Sequence, residues 1–61
     1  MNADVKGAYA QLDKSWKAFV HKGKSMTRKQ VKAVLEHAIS KGYETTSDIP
    51  DIEIDQILIK Q

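Results

Sequence analysis

Thr27 and Gln30 form an S/T-x-x-Q pair directly ahead of an apolar series, and this fixes one helix more firmly than any other feature of the chain. The threonine hydroxyl can accept from the glutamine backbone amide while the glutamine side chain returns to the threonine amide. Two donors orphaned at a helix start are then satisfied together. Met26, just before the cap, is placed to staple against Val31. Val31, Val34, Leu35, Ala38 and Ile39 continue at i, i+3, i+4 spacing, and Gly42 supplies a left-handed residue that stops a helix. The spacing predicts a helix over 28–41.

A second apolar stripe precedes it. Val5, Ala8, Tyr9, Leu12, Trp16, Phe19 and Val20 fall within an arc of about 120° when wound at 3.6 residues per turn. This predicts a helix over 3–21, with Asn2 as its cap, Asp4 at its positive end and Gly23 as its stop. Gly7 weakens the first turns by about 1 kcal/mol relative to alanine.

The segment from Tyr43 to Pro50 is rich in Thr, Ser and Asp, and Pro50 biases Ile49 toward an extended conformation, so this link crosses the surface with Ile49 pinned inward. Beyond it, Ile54, Ile57 and Leu58 share one helical face behind Asp51 as cap, which predicts a helix over 51–59. Ile52, Ile54, Ile57 and Ile59 also give a broken strand-like alternation, so an α+β fold with a C-terminal strand is the alternative. A lone strand would leave its backbone groups unpaired, which favours the helix. The expected fold is all-α, a compact three-helix domain with a core of Tyr9, Leu12, Trp16, Phe19, Val31, Val34, Leu35, Ala38, Ile54, Ile57 and Leu58.

A chain of 61 residues is expected to form a single small domain, residues 1–61, and to bury one thin core. A stability of about 3–5 kcal/mol is the expectation at this size. There is no cysteine, so neither disulfides nor a thiolate zinc site can add to it. No apolar run, Ile57 to Ile59 included, is longer than three residues, and the N-terminus has no apolar stretch; no membrane association is expected, and the expected compartment is cytoplasmic.

Chemical motifs are incomplete throughout. Ala18 to Ser25 satisfies a permissive phosphate-loop pattern, but Phe19 and Val20 continue a helical stripe where a strand should stand. Neither His21 nor His37 has a metal ligand at i+3 or i+4, and Asp51, Glu53 and Asp55 lack the central glycine and closing glutamate of a calcium loop. These side chains are read as solvated, with no metal and no cofactor. Ser15, Ser25, Ser40 and Ser47 lie in no nucleophile context. A substrate pocket usually needs about 300 Å³ or more, which a core this thin is not expected to enclose. A non-enzymatic protein is therefore expected.

Charge is the remaining signal. From Lys14 to Lys32 stand seven Lys or Arg residues and no acid, although the net charge is only +2. Residues 1–41 hold nine bases and three acids, and residues 42–61 one base and five acids. Winding the helices gathers Lys22, Lys24, Arg28, Lys29, Gln30 and Lys32 around the start of the second helix, a candidate surface for an acidic partner or nucleic acid. In the nucleic-acid reading the first two helices make a helix-turn-helix-like pair, with these residues at base edges and phosphates. Trp16 and Phe19 belong to the core stripe rather than to a base-stacking platform. Ile52 and Ile59 point away from the face that holds Ile54, Ile57 and Leu58, and form a candidate protein-interaction surface with an acidic rim or a homodimer contact. The favoured expectation is a small binding or regulatory module acting through protein–protein interaction, and the alternative is a DNA-binding protein using the basic helix start.

Overall fold

Asp4 starts the first helix, its backbone extended and its carboxylate accepting from the Gly7 amide at 2.7 Å. The fold is known from a computed structural model that describes residues 3–60. Asn2, the cap expected from sequence, lies outside the described residues. Helix α1 runs Val5–Ala10, and α2 follows as Leu12–Ser15, continued by a 3-10 turn at Trp16–Ala18. The single helix expected over 3–21 is thus broken at Gln11. Ser15 bridges the break: its hydroxyl donates to the Ala8 carbonyl at 2.9 Å, satisfying an acceptor that a continuous helix would give to a backbone amide.

A second correction follows at Phe19. Instead of helix, the chain forms a two-stranded antiparallel hairpin of β1 (Val20–His21) and β2 (Lys24–Ser25). Lys22 and Gly23 turn the corner with φ of 51° and 79°, the paired positive values of a tight hairpin turn that follows strand twist. Gly23 is therefore a turn residue and not a helix stop. Phe19 and Met26 flank the hairpin, both buried, and the Met26 amide donates to the Phe19 carbonyl at 3.3 Å.

Helix α3 spans Arg28–Lys41 as expected, with both bonds of the Thr27–Gln30 capping box present. Gly42 adopts φ 79°, and the Gly42 and Tyr43 amides donate to the Ile39 and Ala38 carbonyls, a Schellman ending. The following link folds under the N-terminus. Ala3 and Thr46 exchange two hydrogen bonds, Val5 donates to the Glu44 carbonyl at 2.9 Å, and Asp4 and Thr45 form an isolated antiparallel bridge. A 3-10 turn at Thr46–Asp48 leads to Ile49, extended before Pro50 and buried as expected.

Helix α4 covers Asp51–Lys60, so the C-terminal strand of the alternative fold does not form; the strand content lies in the hairpin. The Pro50 carbonyl accepts from the Glu53 and Ile54 amides, which makes Asp51 the first helical residue rather than the cap. The chain is a small, mostly helical fold of four α-helices and a hairpin among the described residues.

The core lies chiefly between α1, α2 and α3: Val5, Ala8, Leu12, Phe19, Met26, Val31, Val34, Leu35, Ala38 and Ile49. Val5, Ala8, Met26 and Ile49 enlarge the expected set. Tyr9, Trp16, Ile54, Ile57 and Leu58, expected inside, pack half-buried against its edge. Val20 leaves the helical stripe altogether and is 52% exposed on the hairpin.

Candidate functional site

Glu53 and Asp55 leave α4 about 200° apart around its axis, so one carboxylate reaches each flank of the helix. On one flank, His37 Nε2 of α3 lies 2.7 Å from Glu53 Oε1, and the Tyr43 hydroxyl donates to both Glu53 oxygens at 3.0 Å. On the other, His21 Nε2 lies 2.8 Å from Asp55 Oδ1 while Lys22 donates to Asp55 Oδ2 at 2.7 Å. Two clamps therefore hold a helix that contributes no fully buried residue. The reading of these histidines and acids as solvated is corrected: the His21 side chain is only 10% exposed and both imidazoles are paired. Neither pairing could be found from spacing, because the partners are 34 and 16 residues apart.

The electrostatics follow from the contacts. Hydrogen bonding from His37, then Tyr43, holds the Glu53 carboxyl below the usual range against the opposing effect of burial. Lys22 first, then His21, do the same for Asp55, and Asp55 in turn raises the Lys22 ammonium. Burial and the Glu53 carboxylate push the Tyr43 phenol up.

The expected basic surface is partly neutralised by the fold. Lys22 is bound to Asp55, Arg28 Nε donates to Asp13 Oδ1 at 2.7 Å, and Lys32 lies 3.8 Å from Glu36. Gln30 gives its side-chain oxygen to the capping box. Lys24 and Lys29 are exposed and make no ion pair among the described residues. A hairpin, not a short turn, joins α2 to α3, so the expected helix-turn-helix-like geometry is absent here. Phe19 is buried and Trp16 half-buried, with the Lys17 ammonium 6.0 Å from its ring.

The surface carries open clefts. One of about 370 Å³ is lined by His21, Lys24, Ser25, Met26, Gln30 and Leu58, and another of about 630 Å³ by Leu12, Lys14, Arg28 and Lys32. Ser25 stands opposite Val20 in the ladder, on the other face from the His21–Lys24 pair, and makes no hydrogen bond to His21. His21, Asp55 and Ser25 do not form a nucleophilic triad. Among the described residues no three His, Cys, Asp or Glu side chains gather around a metal position, and no helix is long and apolar enough to cross a membrane.

Ile52 and Ile59 lie on the outer face of α4, 65% and 82% exposed. A core that wraps the helix far enough to bury one of them does not form. No family profile, curated protein or solved structure matches the chain.

Proposed function

We propose that the chain is a cytoplasmic, non-enzymatic binding module that acts through protein–protein interaction at the outer face of α4. The observation that carries this reading is the pair Ile52 and Ile59, the two most exposed large apolar side chains among the described residues, one heptad apart on the same helix face. Apolar area in that position gains about 25 cal/mol for each Å² covered, before the cost of association is subtracted, and the two clamps present it on an ordered helix. DNA binding is the weaker reading, since Lys22, Arg28 and Lys32 each face an acid of the same chain.

The test compares the wild-type chain with an Ile52→Ser, Ile59→Ser double variant as baits, alongside circular dichroism of both. The reading expects proteins captured by the wild type and lost by a variant whose helicity and melting are retained. Identical captures from a wild type that does not self-associate, or a variant that unfolds, would overturn it. Binding of the wild type to duplex DNA at low salt, abolished in an Arg28→Ala, Lys29→Ala, Lys32→Ala variant, would favour DNA instead.

A further inference from the structure

We infer that the outer face of α4 pairs with the same face of a second copy of this chain, in an antiparallel contact about a two-fold axis that passes between Asp55 and Gln56. The inference rests on the α4 reading above and names the partner.

Three features of α4 make the face its own complement. Ile52 and Ile59 are seven residues apart, so on a straight helix they fall within about 20° of one line. Gln56 is exposed between them, four residues after one and three before the other. An axis midway between residues 55 and 56 then sets Ile52 against the Ile59 of the copy, sets Ile59 against its Ile52, and brings the two Gln56 amides side by side. An amide carries both donor and acceptor and can pair with its own symmetry mate.

Charge selects the direction. Asp51 and Glu53 occupy the first turn of α4 and Lys60 the last. A parallel pair would stack acidic turn on acidic turn and align the helix dipoles. The antiparallel pair brings each Lys60 toward the other copy's acidic turn and opposes the dipoles. Asp55, the acid nearest the axis, is already matched by His21 and Lys22 of its own chain.

Two isoleucines a side cover well under the roughly 1,200 Å² total of a standard interface, so the pairing is reversible, with a dissociation constant on the order of 0.1 mM. Sedimentation equilibrium from about 10 µM to about 1 mM spans that range. The wild-type average mass is expected to climb toward twice the chain mass, while the Ile52→Ser, Ile59→Ser variant stays monomeric with unchanged circular dichroism.

Direction is read by disulfide capture, for which the cysteine-free chain is a clean background. Gln56→Cys is expected to form a covalent dimer on mild oxidation. Ile52→Cys alone is not, because its two copies lie about 10 Å apart along the seam, whereas a mixture of Ile52→Cys and Ile59→Cys is. A wild type that stays monomeric throughout, association that survives in the double serine variant, or an Ile52→Cys chain that cross-links to itself as readily as the mixture would overturn the inference. If the monomer persists but wild-type bait still captures proteins that the double variant loses, only the second copy is excluded and the α4 reading stands; identical captures exclude both.

Discussion

His21 on the hairpin and Asp55 on α4 meet at 2.8 Å across 34 residues of sequence, and this contact joins the two elements that the α1–α3 core does not itself organise. Lys22 takes the other carboxylate oxygen, so two consecutive residues entering one tight turn converge on a single acid. With the Glu53 clamp on the opposite flank, α4 is positioned by hydrogen-bonded side chains as well as by the half-buried Ile54, Ile57 and Leu58.

Acid should therefore release α4 first. Glu53 and Asp55 are held below the ordinary carboxylate range, Glu53 chiefly by His37 and Asp55 chiefly by Lys22. A group whose folded pKa is depressed contributes stability that is complete above its unfolded value and lost as the pH falls through its folded value. The expected loss begins near about pH 4 and deepens below it. Glu53→Gln should flatten the acid limb of melting temperature against pH, and a profile that overlays the wild type would contradict this origin. Hydrogen exchange should show α4 amides losing protection before those of α3 as the pH is lowered.

Leu35 is fully buried at the centre of α3. Leu35→Ala is expected to cost about 2–5 kcal/mol, comparable to the whole stability expected for a chain this small. The variant should be largely unfolded at room temperature by circular dichroism. Ile54→Ala, at the half-buried edge, should cost roughly 1 kcal/mol and leave a cooperative urea transition.

Gly23 isolates a backbone effect. A Cβ added there would meet nothing within 4 Å, yet φ is 79°. Gly23→Ala should therefore destabilise by about 1–2 kcal/mol through the left-handed conformation alone. Urea denaturation would read this as a lower midpoint with unchanged slope, and an unchanged midpoint would show that the hairpin contributes little to folding.

The elements that sequence made legible are those whose signals are local. The Thr27–Gln30 box, the series from Val31 to Ala38, Gly42 and the Ile49–Pro50 step each act within a few residues, and each stands where expected. The N-terminal stripe misled because Phe19 is buried in either reading, so its periodicity could not show that the helix had already ended. The informative signal is Lys22-Gly23 between two short extended pairs, a turn pair that a helix through 21 does not accommodate. Ile52 and Ile59 are exposed on the face that helical winding sets opposite Ile54, Ile57 and Leu58, but how far the core wraps α4 is not local to the sequence. Which bases are paired is not legible in sequence, because Asp13 and Asp55 reach Arg28 and Lys22 through contacts 15 and 33 residues long.

The strap between Ala3 and Thr46 bears on the order of assembly. Its bonds close a separation of 43 residues, while the hairpin and α3 carry their own turn and caps and need no distant partner to begin. Loop-closure entropy makes such a strap a late event. The chain thus combines a helical composition with one long-range closure, which ties residue 3 to residue 46.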